Sequence, residues 1–251
     1  MASDDLHISS AIVLIIGNEI LSGKTQDTNL KFLGVELARF GIELIEARVI
    51  RDDEASIVAH VNDARRRASY VFTTGGIGPT HDDITAASVA KAFAVELVRN
   101  EEAVRRLSSR APLNEARLKM AHIPAGASLI DNPISQAPGF QIENVFVLAG
   151  IPRIAQVMFE SIRDRLSRGQ PIRSLSIDAS LSEGAIAADL AAIAARFPAV
   201  EIGSYPFFRE QRYGVSVVAR SRDATAVQTV IDEVGQVMRA LGAEPEQGEL
   251  S

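Results

Sequence analysis

At 251 residues, 47% hydrophobic and 23% charged, the chain reads as a soluble globular protein with room for one large domain or two moderate ones. Its formal charge of −6, with no basic block beyond Arg65-Arg66-Arg67, argues against nucleic acid or a membrane surface as partner. The lack of cysteine excludes disulfides, zinc ribbons and thiol catalysis.

Residues 1–10 carry Asp4, Asp5 and His7 and lack the apolar core of a signal peptide. No apolar run approaches the ~20 residues that span a bilayer, so cytoplasm is the default location. Ala11 to Ile16 is a continuous apolar run ended by Gly17, the pattern of a strand buried on both faces. A helix is predicted from about Thr28, with Leu30, Leu33, Leu37 and Phe40 at helical spacing and Gly41 as its stop. Ile42 to Ile50 reads as a second strand, and Asp52 or Asp53 caps a helix carrying Ile57, Val58, Val61 and Ala64. Tyr70 to Thr74 is the third strand, and a helix is predicted from Asp83 to about Phe93.

Strands alternating with helices give parallel βαβ units, whose ligands sit beyond the carboxyl ends of the strands. The unusual residues fall there. Gly17-Asn18-Glu19 follows the first strand, Asp52-Asp53 the second, and Gly75-Gly76-Ile77-Gly78-Pro79-Thr80-His81-Asp82-Asp83 the third. A strand, a glycine loop and a helix start offer backbone N–H groups to an anion, usually a phosphate. A plain turn needs one or two glycines; three, with Pro79 and two aspartates, exceed that need. Thr80 with Asp83 three residues on also fits an acidic capping box. Of Asp82 and Asp83, one caps the helix and the other is left for a magnesium ion, which takes one or two carboxylates plus phosphate oxygens. Asp83 is preferred for that metal or catalytic role, with capping as its alternative. Glu19 is a second candidate carboxylate, or a solvated loop acid. Asp27-Thr28-Asn29 reads equally as a helix cap or a ligand contact.

From Asn100 to Ala121 the chain is polar and helical, with Leu107, Leu113 and Leu118 as packing points. The loop Asn132 to Gly139, with Pro138, and the segment Gly150-Ile151-Pro152 either line a pocket or only turn the chain. Between them, Val145 to Leu148 is a buried strand, and Pro152 sits in the first turn of a helix reaching about Leu166. Ser167 to Pro171 looks like a linker. Beyond it, strand (172–181), helix (183–196), strands (200–205 and 213–219) and helix (225–241) make a small βαββα sandwich without a catalytic constellation, so the domains are expected at 1–169 and 170–251. This second module reads as a packing or oligomerisation unit, and the acidic tail after Gly242 as frayed.

Assembled, these segments resemble the molybdopterin-binding MoaB/Mog fold, in particular the branch found in the N-terminal part of competence/damage-inducible CinA proteins and in eukaryotic FAD synthases. The carrying pieces are Gly17–Leu21, Gly23 with Asp27-Thr28-Asn29, Asp52-Asp53, Thr74–Thr85, Asn132-Pro133, Ala137-Pro138-Gly139 and Gly150-Ile151-Pro152. The resemblance implies a three-layer α/β/α domain with a mostly parallel sheet, binding a pterin phosphate or nucleotide at the glycine loop. It implies ligand contacts from Gly17, Asn18, Asn29, Thr74, Gly75, Gly76, Gly78, Pro79, Thr80, Asn132, Pro138, Gly139, Gly150 and Pro152. Asp83, Asp82 and Glu19 are the implied catalytic residues, Asp83 and Glu19 the implied metal ligands, and a homo-oligomer the implied assembly. Three departures stand out: Asn18 where aspartate is usual, Ile134-Ser135-Gln136 in place of a Gly-Thr type of sequence, and Ala149 in place of proline. Three readings follow: a molybdopterin- or adenine-nucleotide-binding protein; a magnesium-dependent pyrophosphatase acting on ADP-ribose or FAD; and a non-catalytic structural oligomer. The last leaves Glu19 and Asp82-Asp83 unexplained.

Overall fold

The computed structural model describes residues 9–209 and 211–247. The extreme N-terminus, read above for a signal peptide, and the end of the acidic tail lie outside the described residues. The chain divides into two compact units between Gly169 and Gln170.

The first unit is a six-stranded, mostly parallel sheet between two helical layers. Its first strand β1 (Ser10–Ile16) leads through a short helix α1 (Asn18–Leu21) into α2 (Asn29–Arg39) and the edge strand β2 (Glu43–Ile50). Helix α3 (Glu54–Arg67), strand β3 (Tyr70–Thr74) and helix α4 (Thr85–Ala92) follow. Strands β6 (Ser128–Ile130), β7 (Gly139–Ile142) and β8 (Val145–Leu148) and helix α7 (Pro152–Ser161) complete the layers. The order is β2-β1-β3-β8-β7-β6, parallel from β2 to β8 and antiparallel across β8-β7-β6.

Alternation along β1 builds both cores. Ile12, Leu14 and Ile16 join Ile57, Val61 and Ala64 of α3 and Val89 and Ala92 of α4. Ala11, Val13 and Ile15 face Leu33 and Leu37 of α2 and Met158 and Phe159 of α7. Every residue from Ala11 to Ile16 is at most 4% exposed, and each such isoleucine, leucine or valine contributes roughly 1.5–3 kcal/mol. This explains why the strand reads as an unbroken apolar run rather than an alternating one.

Between α4 and β6 the expected single helical stretch is broken. Strand β4 (Leu97–Arg99), helices α5 (Glu101–Arg110) and α6 (Glu115–Lys119) and strand β5 (His122–Pro124) form an outlying lobe, with β4 and β5 paired antiparallel. Asn100 and Asn114 cap α5 and α6, accepting from the amides of Ala103 and Arg117. Pro112, which cannot continue a helix, lies between them.

The second unit is an antiparallel sheet carrying two helices: β9 (Arg173–Ala179), α8 (Glu183–Arg196), β10 (Glu201–Arg209), β11 (Arg212–Ser221), α9 (Ala224–Ala240) and β12 (Glu246–Gln247). Its order is β10-β11-β9-β12. The tail departs from the frayed expectation, because Glu246 and Gln247 pair with Asp178 and Ile177 of β9 and give the sheet a fourth strand. Two residues are too short a strand to leave a period in the sequence.

Candidate functional site

Strands β1, β2, β3 and β8 end at one edge of the sheet, and the strand order reverses about β1. A crevice outside the carboxyl ends is the consequence of that topology. Gly75 is wedged into it. Its amide donates to the Leu148 carbonyl at 3.1 Å, and a Cβ there would stand 2.2 Å from the Ile16 carbonyl oxygen. At φ +104° the position suits only glycine. Gly150, arriving from β8, packs so close that its own Cβ would lie 3.2 Å from the Gly75 Cα.

Gly76, at φ +66°, turns the chain past Thr85. The buried Thr85 latches the loop: its hydroxyl donates to the Gly75 carbonyl at 3.1 Å and its amide to the Gly76 carbonyl at 3.0 Å. The amides of Gly76, Ile77 and Gly78 have no partner among the described residues. Three consecutive N–H groups without a partner at a half-exposed turn are the donor set that an anion cradle requires. Lys119, at the end of α6, donates its ammonium to the Thr80 carbonyl and brings a positive charge to the loop. A cleft of about 100 Å³ lies here, lined in part by Gly76, Gly78, Asp83, Lys119, Pro138 and Phe140.

Helix α4 begins at Thr85, two residues later than expected, and Ile84 at its cap position makes no side-chain cap bond. Asp83 instead closes the loop on itself. Its Oδ2 accepts from the Thr80 amide at 2.8 Å and from the Thr80 hydroxyl. A Cβ on Gly78 would meet that same oxygen at 2.7 Å. The Thr80–Asp83 pairing foreseen as a capping box therefore exists as a turn ahead of the helix. Asp82 is 67% exposed, with its carboxylate 3.9 Å from His81.

The acid pair after β2 splits in function. Asp53 is the cap of α3, accepting from the Ser56 amide at 2.9 Å. Asp52 turns towards the glycine loop, its Oδ1 3.5 Å from where a Gly76 Cβ would be. That oxygen is buried without a hydrogen-bond partner among the described residues. Burial first, then the charges of Asp83, Asp82, Glu19 and Asp53, push the Asp52 carboxyl up to about 6. Asn18 accepts from the Asp52 amide at 3.5 Å, and Glu19 folds over Gly17, with Oε1 2.6 Å from where a Gly17 Cβ would be. The Asn29 side chain is buried and donates to the Gly150 carbonyl at 2.8 Å, leaving its Oδ1 unpartnered among the described residues. Asp27 is the residue that caps locally, accepting from the Leu30 amide at 2.8 Å.

The fold thus gathers Gly17, Asn18, Glu19, Asn29, Gly75, Gly76, Gly78, Thr80, Asp83 and Gly150 about one sheet edge. Thr74 is buried at the end of β3 with an unpartnered hydroxyl among the described residues. Pro79 is exposed on the loop, and Pro152 is exposed in the first turn of α7. Gly139 is buried inside β7, where a Cβ would stand 2.3 Å from the Val147 carbonyl oxygen. Asn132 is 4% exposed, with its amide holding its own loop through Ile134, Ser135 and Ala137. It borders a different hollow of about 620 Å³, with Arg106, Asp131 and Glu160. Asp52, Thr85 and Lys119 were not foreseen as site residues. Asp52 reads from sequence as a cap; Lys119 comes from another element, and no local pattern marks it.

Carboxylate oxygens suit a hard divalent cation. Among the described residues no three histidine, aspartate or glutamate side chains converge closely enough to hold a metal by themselves. The buried, unpartnered Asp52 oxygen nonetheless fits a cation that completes its shell with ligand oxygens.

The first unit is therefore a doubly wound α/β domain with a glycine-rich loop at the strand-order switch. The chain belongs to the molybdopterin-binding domain family, described as "Probable molybdopterin binding domain", which matches residues 12–168. The "FAD synthase, middle domain" family matches residues 171–244. A protein of Archaeoglobus fulgidus is 36% identical over 195 residues, covering 78% of this chain and 85% of its own. A "Probable FAD synthase" of Caenorhabditis elegans is 29% identical over 258 residues, and the match covers 91% of this chain but only 50% of that relative. The solved structure of CinA from Thermoplasma acidophilum, of unknown function, superposes with a TM-score of 0.60 at 32% identity, covering 62% of this chain and 97% of that one. No helix among the described residues is long and apolar enough to cross a membrane.

Proposed function

We propose that the chain binds a phosphorylated pterin or an adenine nucleotide, with a phosphate seated on the amides of Gly76, Ile77 and Gly78. The observation that carries this reading is the run of three unpartnered amides, held open by the Thr85 latch and flanked by Lys119. Each charge-assisted hydrogen bond contributes about 1.5–3 kcal/mol, so two or three of them fix a phosphate without an arginine clamp. Membership of a molybdopterin-binding family supports the pterin, and the FAD-synthase match of the second unit supports the adenine nucleotide.

The test is the affinity of ADP and of molybdopterin for the wild-type chain and for Gly76→Ala. A Cβ there would stand 2.2 Å from the Thr85 hydroxyl and close the cradle, so at least a tenfold loss is expected. Absence of saturable binding by the wild type overturns the reading.

The acid cluster favours a second version, hydrolysis of a phosphoanhydride such as that of ADP-ribose or FAD. Asp83 and Glu19 would hold a magnesium ion only together with phosphate oxygens of the substrate, since among the described residues no three acids converge on one point; the ion would supply charge neutralisation and an activated water. Around it the loop amides would stabilise negative charge on the phosphoryl oxygens, and Lys119 would hold the Thr80 end of the loop in place. AMP release from ADP-ribose or FAD in the presence of magnesium, abolished in Asp83→Asn with an unchanged circular-dichroism spectrum, is the expected result. Undiminished turnover in Asp83→Asn removes that residue from the chemistry.

A further inference from the structure

The outlying lobe of β4, α5, α6 and β5 supplies one wall of the cleft beside the glycine loop. Leu97, Met120 and His122 come from it, and Ala87 of α4 and Phe140 of β7 help to complete the lining. The pairing of β4 with β5 sets Leu97 opposite Pro124 and Arg99 opposite His122, so Leu97 and His122 share one face of that ribbon. The cleft holds about 100 Å³ and is open on one side. A pocket for a whole drug-sized ligand needs ~300–1,000 Å³, whereas a cavity of about 150 Å³ already takes a benzene ring. An open slot of this size suits one flat ring, with the remainder of the ligand outside it.

The slot has apolar walls and three polar side chains, two of them already engaged. The Asp83 carboxylate accepts from Thr80, and the Lys119 ammonium donates to the Thr80 carbonyl. His122 differs. Its Nδ1 lies 3.1 Å from the Leu118 carbonyl oxygen, which can only accept, so Nδ1 carries the proton. In the neutral ring Nε2 then keeps its lone pair and can only accept. No donor meets it among the described residues. A half-buried acceptor without a partner, between apolar walls, is matched by an N–H group in the plane of an aromatic ring. A carbonyl in the same place would set lone pair against lone pair.

We propose that this cleft takes the amino-bearing ring of the ligand, with His122 Nε2 accepting from its exocyclic amino group. The inference rests on the phosphate reading of the glycine loop and adds what recognises the other end of the molecule. Adenine and pterin share the required chemistry, a flat six-membered heterocycle carrying an amino group. The lobe thereby becomes the specificity wall of the site, and His122 its specificity-determining residue.

Calorimetric titration of the whole chain with pyrophosphate, ADP and neopterin phosphate tests this, each ring compound being paired with its analogue lacking the amino group. Wild type should bind ADP or neopterin phosphate at least about tenfold more tightly than pyrophosphate, and about tenfold more tightly than the analogue. Which of the two does so identifies the source of the ring. His122→Asn keeps a donor for the Leu118 carbonyl but has no atom where Nε2 stands, so the preference for the amino group should vanish. His122→Gln, whose longer side chain returns an acceptor to that position, should restore it. Ala87→Phe, at an exposed position of α4, should fill the slot and reduce the ring compound to the affinity of pyrophosphate, with an unchanged circular-dichroism spectrum. Equal wild-type affinity with and without the amino group, or a preference that persists in His122→Asn, overturns the proposal. Pyrophosphate that fails to bind removes the phosphate reading and this inference together. Pyrophosphate that binds as tightly as both ring compounds removes this inference alone.

Discussion

Replacing Asp52 with asparagine isolates the electrostatics of the crevice. The Asp52 carboxyl is raised from 3.8 to about 6, first by burial and then by Asp83, Asp82, Glu19 and Asp53. A carboxyl raised in the folded state opposes folding only where it is ionised. The cost is absent well below the unfolded value near 3.8, grows between 3.8 and about 6, and is complete above that. Unscreened, such a change amounts to roughly 3 kcal/mol. The carboxyl is only partly buried and solvent screens the rest, so about 1 kcal/mol is the expected effect. Among the described residues the Asp52 side chain accepts no hydrogen bond, so asparagine deprives it of no partner. Urea unfolding of wild type and Asp52→Asn at pH 4 and pH 7.5 measures the difference. Asp52→Asn should be more stable than wild type by about 1 kcal/mol at pH 7.5 and close to it at pH 4. A variant equally displaced at both values, or weaker at pH 7.5, would refute the reasoning.

Gly75→Ala should lose about 3 kcal/mol of stability, because its Cβ would strike the Ile16 carbonyl at 2.2 Å on a strand that cannot yield; a shifted urea midpoint is the measure. Asp53→Ala removes the cap of α3 and should cost about 1 kcal/mol at neutral pH, while leaving ligand affinity unchanged in the same calorimetric titration that tests Gly76→Ala. Phe159→Ala should cost about 3–5 kcal/mol, since that ring is fully buried and meets Phe32, Phe40 and Phe72 at centroid distances of 5.7, 6.2 and 5.8 Å. Wild-type behaviour of that variant in thermal unfolding would contradict the assigned core.

What the amino acids determined alone were the features that depend on near neighbours. The apolar run at β1, the helical spacing in α2 and α3 and the turn glycines are local periodicities, and they place the layers and the crevice correctly. The glycine loop was legible for the same reason, since Gly75 and Gly76 are needed wherever the chain must take positive φ between a strand and a helix. Elements of two to four residues, such as β4, β5, β6, β7 and β12, left no such period, because each is held by a partner strand rather than by its own propensity. The role of each acid was also a tertiary matter. Asp52 and Asp53 are adjacent and chemically identical in sequence; strand β2 delivers one to the helix cap and the other to a crevice formed by Gly76 and Thr85. Asp83 is drawn away from the helix by Thr80, and Lys119 reaches the loop from a helix nearly forty residues further along the chain. Charge, burial and free amides become a site only when distant segments share one small volume, and that sharing is a property of the packed sheet.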